Sequence, residues 1–128
     1  MQLNQEVAVG IQARRRWNDT GIDLYKGQSY LLRSSGEWCD WHYLASPRGY
    51  KSRNTAQRLT TWVRRHHAAD WFTLVGSISK RRNTYFVISS GGEYRPARHG
   101  RLFCFANDIW LFYFNNSGYV QLAVTRTE

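Results

Sequence analysis

Apolar and polar residues alternate over several short stretches of this chain, a pattern typical of half-buried β-strands. The alternation is clearest at residues 119–125, where Val120, Leu122 and Val124 share one face. Residues 71–79 form an almost continuous apolar run instead, which predicts a fully buried strand. Further strands are predicted at residues 7–13, 22–25, 29–35, 84–88 and 101–106. Short strands at this spacing, without interspersed helices, predict an all-β protein.

Turn-forming residues separate the predicted strands. Residues 17–21 predict a turn after the first strand, and Lys26-Gly27 predicts a hairpin between the second and third strands. Gly36-Glu37-Trp38 is expected to end the third strand. Residues 80–83 are mostly basic and predict a second hairpin with a positively charged tip, whereas residues 89–92 predict a loop.

The middle of the chain lacks the strand pattern. Alternation disappears between residues 39 and 70, and apolar residues within residues 56–69 recur at helical spacing. A structureless connection of this length is uncommon in a compact domain, so the segment is expected to be functional or partly helical.

Composition agrees with a β-rich fold. The chain has six Trp, eight Tyr, six Phe and ten Gly but two Pro, which suits strands joined by many short turns. Its 128 residues are enough for one self-sufficient core. We therefore predict a single domain, residues 1–128, built as an antiparallel β-sandwich with one short helix within residues 56–69.

The formal net charge of +9 adds an electrostatic feature to this picture. Of the 18 basic residues three are Lys, at positions 26, 51 and 80, and the others are Arg. Because Arg binds flat anionic groups through paired hydrogen bonds and stacks on rings, an anionic polymer such as nucleic acid or an acidic glycan is one candidate partner. The alternative is a soluble surface rich in Arg with no such ligand.

The two cysteines and the N-terminus bear on the cellular compartment. Cys39 and Cys104 each lie beside aromatic residues and are expected to be free thiols, although a single disulfide between them stays open. No secretory signal and no apolar run long enough to span a bilayer is recognisable. We expect a cytoplasmic protein, or one exported without a recognisable signal peptide.

The stretch from Asn107 to Gly118 carries the most specific candidate chemistry. Asp108 precedes Asn115 and Asn116 by seven and eight residues, so a bent loop could bring their side-chain oxygens together. Calcium is bound by such carboxylate and amide oxygens together with main-chain carbonyls. The same residue types are also those of an ordinary turn, which is the alternative interpretation.

This loop, followed by an alternating final strand, resembles the calcium loop of the LecA-like (PA-IL-like) lectins, a bacterial family of calcium-dependent galactose-binding proteins. Further landmarks occur in the family's order: Gly27, Gly36-Glu37-Trp38 and the apolar run at residues 74–78. The resemblance covers roughly residues 5 to 126 and is most specific in the loop. It implies a jelly-roll, galactose-binding-domain-like sandwich in a divergent member of the family.

By this resemblance a calcium ion is the expected cofactor. Side-chain oxygens would come from Asp108, Asn115 and Asn116, and main-chain carbonyls from Phe112 and Trp41. With a bidentate carboxylate these groups supply about six ligands, and sugar hydroxyls could complete calcium's coordination of up to eight.

The loop departs from the family because bulky residues fill its middle, where the family has small residues and Pro. These bulky residues could fill the sugar pocket, or Trp110 and Tyr113 could stack on a sugar ring; His66, His67 and Gln57 are ligand-binding candidates by residue type. The two histidines are not expected to share a metal, since adjacent side chains on a helix point about 100° apart.

Three functions follow from the sequence. The first is a non-catalytic, calcium-dependent lectin for a galactose-type or related sugar. The second is an Arg-rich sandwich that binds an anionic polymer, with the loop serving as a turn. The third is a structural or accessory subunit without metal, which could be a homo-oligomer. An enzyme is not expected, because no nucleophile motif, phosphate loop or zinc spacing is present.

Overall fold

The computed structural model describes residues 1–128 and contains ten β-strands, one short α-helix and three short 3-10 helices. The strands are β1 (Glu6–Gln12), β2 (Asn18–Leu24), β3 (Tyr30–Asp40), β4 (Tyr43–Ala45), β5 (Arg48–Tyr50), β6 (Trp71–Ile78), β7 (Phe86–Val87), β8 (Gly91–Tyr94), β9 (Gly100–Ala106) and β10 (Asn116–Arg126). The helix α1 is Thr55–Leu59, and the 3-10 helices are Thr61–Val63, Arg82–Thr84 and Trp110–Asn115. None of these helices is long and apolar enough to cross a membrane.

The strands form two five-stranded sheets, and every pairing is antiparallel. The first sheet has the order β1-β10-β3-β4, with β8 also paired to β3. The second has the order β2-β9-β6-β5, with β7 also paired to β6. The predicted antiparallel β-sandwich is therefore confirmed.

The core lies between the two sheets. Val120, Leu122 and Val124 of β10 face it, as their alternation predicted, and Trp38 is fully buried with its indole N–H donating to the Phe72 carbonyl. Strand β6 is buried along its whole length, as its apolar run predicted. One of its faces meets the core, and on the other Val75 joins a smaller cluster with Phe105 and Ala69. This second cluster supports the part of the surface where the candidate site lies.

Three local predictions about β2 and β3 were wrong. The expected turn at residues 17–21 mostly belongs to β2, because the Asn18 side chain binds the Gln12 and Cys104 carbonyls and starts the strand early. Lys26-Gly27 does not close a hairpin: β2 pairs with β9 and β3 with β10, so the turn crosses between sheets. Strand β3 also continues through Gly36 to Asp40, since β10 pairs with it over that whole length.

The remaining elements follow the predictions more closely. The hairpin of β6 and β7 has the expected basic tip, although β7 is only two residues long and follows a 3-10 helix. Strand β8 occupies part of a predicted loop, where Gly91 and Gly92 pair with β3. The short helix predicted within residues 56–69 is α1, which begins one residue earlier with the Asn54 side chain as its N-cap.

The two cysteines are free thiols, as expected. Cys39 lies on β3 and Cys104 on β9, in different sheets. Burial raises the pKa of Cys104, so this thiol is an unreactive part of the core.

Gly49 in β5 fixes the close approach of that strand to β6. Its φ is +76°, and an added Cβ would lie 2.2 Å from the Trp71 carbonyl oxygen. Gly21 has a similar φ of +73° but nothing within 4 Å of such a Cβ. We expect Gly21→Ala to lower the free energy of unfolding by about 1 kcal/mol through the backbone alone, and Gly49→Ala by at least ~3 kcal/mol because the clash adds to it. Urea denaturation measures both, and equal losses would show that β5 can move away without cost.

Candidate functional site

Two segments form the candidate site, the terminal loop (residues 107–118) and the middle segment (residues 51–70). The buried Asn107 side chain joins them: its Nδ2 donates to the carbonyls of His66, Ala69 and Asp70 at 2.9–3.0 Å, and its Oδ1 accepts from the His66 N–H at 2.9 Å. The Arg65 N–H also donates to the Asp108 carbonyl. The two segments are therefore held as one unit, and residues of both segments line two pockets.

The first pocket, here called the Asp108 pocket, has a volume of about 360 Å³. The structure brings four of the sequence-predicted residues to its wall: Asp108, Phe112, Asn115 and Gln57. The other residues that line it are Asp40, Asn54, Ala56, Thr60, Trp71 and Ile109.

The Asp108 carboxylate is buried and held from two sides. Its Oδ1 accepts the Ile109 N–H at 2.7 Å, and its Oδ2 accepts the Asn116 Nδ2 at 3.1 Å. Burial, together with the neighbouring Asp40 carboxylate, nevertheless raises the pKa of Asp108 to about 7. Burial likewise raises the pKa of Asp40, whose carboxylate accepts the Tyr50 hydroxyl. The pocket thus holds two carboxyl groups whose ionised forms are disfavoured by burial.

Two amide oxygens beside Asp108 lack a hydrogen-bond donor. They are Oδ1 of Asn115 and Oδ1 of Asn116, and both atoms are buried. The Asn116 Nδ2 is occupied, since it donates to the Ala13 carbonyl as well as to Asp108. Buried oxygens of this kind are costly unless a donor or a cation meets them.

This donor set fits a calcium ion, because calcium prefers carboxylate, amide and carbonyl oxygens. No group of three or more His, Cys, Asp or Glu side chains is arranged to hold a metal. Any metal here would therefore be bound through one or two carboxylates together with amide and main-chain oxygens, and the set that the family resemblance implies is Asp108, Asn115, Asn116 and the Phe112 carbonyl.

Trp41, predicted to offer a carbonyl, lies just beyond the end of β3. Its φ is +56°, its N–H donates to the Asn115 carbonyl, and its own carbonyl accepts from the Cys39 thiol. Asp40, one residue earlier, is the part of β3 that lines the pocket. The sequence analysis did not identify Asp40 as a site residue. Only the pairing of β3 with β10, which places Asp40 opposite Asn116, brings it to the pocket.

Gln57 is fixed at the edge of the Asp108 pocket. Its Nε2 donates to the Tyr50 hydroxyl at 2.9 Å, its Oε1 accepts the Arg53 N–H, and its own N–H donates to Asn54. Tyr50 in turn contacts Asp40, so one hydrogen-bonded chain connects Gln57 with the carboxylates.

The other predicted ligand-binding residues do not join the Asp108 pocket. Trp110 and His67 line a second depression of about 550 Å³, here called the basic cleft, and His66 lies beside it. Arg64, Arg65 and Arg82 also line this cleft. The basic cleft could not be predicted, since its residues come from separate parts of the chain.

Tyr113 has no free surface for a sugar. Its side chain is buried, its hydroxyl donates to the Ala106 carbonyl, and the same hydroxyl accepts from Arg65 Nη1 at 2.9 Å. The prediction that Tyr113 stacks on a ligand is therefore wrong, because the 3-10 helix at Trp110–Asn115 turns this ring inward as a support for Arg65.

This two-sheet architecture belongs to the class of antiparallel β-sandwich folds and is similar to that of a solved lectin domain. A similar solved structure is the EclA N-terminal domain, described as a PllA-like lectin, with a TM-score of 0.70 and 17% sequence identity. The similarity covers 93% of this chain and 94% of that one, so it involves the whole sandwich. No protein-family model and no curated protein matches the sequence. At this identity the similarity establishes the fold.

Proposed function

We propose that this chain is a non-catalytic carbohydrate-binding protein that binds a galactose-type sugar through calcium in the Asp108 pocket. The observation that carries the proposal is the pair of buried amide oxygens without donors, Asn115 Oδ1 and Asn116 Oδ1, beside the buried Asp108 carboxylate. The lectin-like fold supports the same function, since the similar EclA domain is described as a lectin.

The residues that would hold calcium are Asp108, Asn115 and Asn116 through side-chain oxygens and Phe112 through its carbonyl. From the end of β3, Asp40 lies closest to the pocket and Trp41 follows it. The ion, when bound, would offer coordination positions to neighbouring hydroxyls of a sugar ring. The Asp108 side chain is already held by the Ile109 N–H and by the Asn116 amide. Binding of the ion would therefore cost little conformational entropy at these two side chains.

The remaining lining residues would orient the sugar. The Gln57 side-chain amide is held by the Tyr50 hydroxyl and the Arg53 N–H, and the Asn54 side-chain oxygen accepts the Gln57 backbone N–H. Phe112 is about half exposed at 47% and can pack against the apolar face of a ring. This combination of a few fixed polar groups with an apolar wall is usual for small-ligand pockets.

Retention on a galactose-substituted resin tests the proposal. We expect retention with millimolar calcium and elution by a chelator, and we expect Asp108→Asn to pass through unretained. Gln57→Ala should weaken binding by roughly tenfold while leaving the stabilisation by calcium intact, because the residue would contact the sugar and not the ion. Asp70→Asn removes the same charge from an exposed side chain and serves as the matched control.

Two results would contradict the proposal. If chelator leaves the retention unchanged, the binding does not depend on calcium. If the parent protein flows through in the presence of calcium, it does not bind a galactose-type sugar. Loss of retention in the Asp70→Asn control would point to net charge as the cause.

A further inference from the structure

We propose that the basic cleft is a second ligand site, which binds a sugar that carries a carboxylate. The cleft is lined by residues of the middle segment, of the terminal loop and of the basic turn after β6. Trp62, Arg64, Arg65, His67, Arg82 and Trp110 line it. Its identification as a sugar site rests on the proposed function, whereas its preference for an anion rests on the cleft alone.

Arg65 is the central observation. The side chain is only 8% exposed and lies among aromatic rings, with its guanidinium carbon 3.5 Å from the centre of Phe105 and 4.4 Å from that of Trp17. Its Nη1 donates to the Arg16 carbonyl and to the Tyr113 hydroxyl. Its Nε and Nη2 have no acceptor. These two nitrogens form one edge of the guanidinium, the edge that binds a carboxylate with two parallel hydrogen bonds.

No carboxylate of the protein forms an ion pair with Arg65, although the Arg65 charge acts on Asp108 from farther away and lowers the pKa of that carboxyl. The ion pairs of the molecule use Arg33, Arg95 and Arg101 on other parts of the surface. The Asp108 carboxylate is hydrogen-bonded to Ile109 and Asn116 instead. A buried charge without a partner is costly, so an external anion would relieve a cost that the folded protein carries.

The surroundings of Arg65 add to the positive potential. Arg64 and Arg82 line the same cleft, and Arg64 Nε is also buried without an acceptor. The lining contains no Asp or Glu. A concave surface with charges of one sign raises the local concentration of the opposite ion. The cleft is therefore built for an anion and not for a neutral ligand.

Exposed tryptophans define the shape of the ligand. Trp62 is 71% exposed and Trp110 is 45% exposed, and both line the cleft. The Trp110 ring centre lies 4.8 Å from the Arg65 guanidinium carbon, and because Nε and Nη2 are buried, the aromatic cover has to move for a carboxylate to reach them. An indole offers a flat surface to the apolar face of a sugar ring. A ligand with a ring and an attached carboxylate matches both features.

A sugar fits this cleft better than a nucleic acid does. The volume of about 550 Å³ lies within the usual range of small-ligand pockets, whereas nucleic acids are bound along extended basic grooves. The terminal loop also connects the two sites, since Trp110 faces the basic cleft and Phe112 faces the Asp108 pocket. One acidic oligosaccharide or two separate sugars could therefore occupy them.

Calorimetric titration with tetragalacturonate tests the proposal, in the presence of chelator so that the Asp108 pocket stays without calcium. We expect binding that weakens with salt and changes tryptophan fluorescence, and no binding of the neutral galactose tetrasaccharide. Arg64→Gln/Arg82→Gln should weaken binding of tetragalacturonate at least about tenfold, because two charged contacts are lost. Both side chains are at least partly exposed, so the variant should fold.

Arg33→Gln/Arg98→Gln is the matched control, since it removes the same net charge from distant exposed positions. It should bind tetragalacturonate like the parent. Equal weakening in both double variants, no effect of the cleft variant, or no binding at all would overturn the proposal. Tighter binding of a single-stranded oligonucleotide of equal charge would assign the cleft to nucleic acid instead. Failure of calcium-dependent retention on galactose would refute the proposed function without affecting tetragalacturonate binding.

Discussion

Without calcium, this protein should lose stability as the pH rises from about 4 to 7, and calcium should restore it. The reason is Asp108, whose pKa is raised from 3.8 to about 7 mainly by burial. The folded state therefore retains a proton that the unfolded state has lost, so stabilisation present below pH 4 disappears as the pH approaches 7. The full loss from this one group is roughly 4 kcal/mol.

Calcium should oppose this loss of stability at high pH, because it would bind the ionised form of the Asp108 carboxylate. At pH 8, calcium at about 100 times its dissociation constant should stabilise the fold by ~2.7 kcal/mol. For a chain of this size that corresponds to a rise in melting temperature of about 5–10 °C. Thermal melts in calcium and in chelator, repeated between pH 4 and pH 8, measure both effects.

Asp108→Asn separates the two contributions. The variant should be more stable than the parent at pH 8 in chelator, because the buried charge is gone, and it should not respond to calcium. Asp70→Asn, in which an exposed charge is removed, should keep the parent's pH profile and its response to calcium. The calcium site would be refuted if parent melts in calcium and chelator superimpose and Asp108→Asn melts as the parent does at pH 8.

Strands that are defined by their own local pattern were predictable from sequence. The buried run of β6 gave nearly the observed bounds, whereas the alternation of β10 identified the strand but placed its start three residues too late, at residue 119 instead of Asn116. Strand β6 is buried on both faces and β10 on one face, and each kind of burial leaves its own pattern of apolar residues in the sequence. The terminal loop was similar, since the spacing of Asp108, Asn115 and Asn116 is local. The structure brings their side chains together.

Features that depend on distant partners were not predictable. Whether Lys26-Gly27 closes a hairpin or crosses between sheets depends on β9 and β10, which lie about eighty residues away. Strand β8 contains two glycines and pairs only with β3, so its own sequence indicates a loop. Asp40 enters the candidate site through the register of β3 against β10.

The burial of the Arg65 charge also depends on distant residues and was not predictable from the sequence. In the sequence it is one of several arginines in a polar stretch, where an exposed position is the ordinary expectation. Its burial results from aromatic residues on three other segments, Trp17, Phe105 and Tyr113. Local patterns do not report such an arrangement, so the charge of +9 indicated an anionic partner without indicating where it would bind.

Asn107→Asp should be among the most destabilising single changes in this chain, although it alters only one side-chain group. Asn107 is fully buried, and its Nδ2 donates to three carbonyls of the middle segment. A carboxylate places an oxygen, and at neutral pH a charge, against those three carbonyl oxygens. We expect the free energy of unfolding to fall by at least about 4 kcal/mol at pH 8, as measured in urea.

The same change should release the middle segment, because Asn107 is its main attachment to the terminal loop. Trypsin should then cleave at Arg58 or Arg64 in the variant under conditions where the parent resists, and the binding proposed for the Asp108 pocket and for the basic cleft should be lost. Asn83→Asp is the control, since Asn83 is exposed at the basic hairpin tip and its change should stay within about 0.5 kcal/mol. If the free energy of unfolding of Asn107→Asp falls by less than about 1 kcal/mol and the variant stays resistant to trypsin, other contacts hold the middle segment. The next contact to test would be the hydrogen bond from the Arg65 N–H to the Asp108 carbonyl.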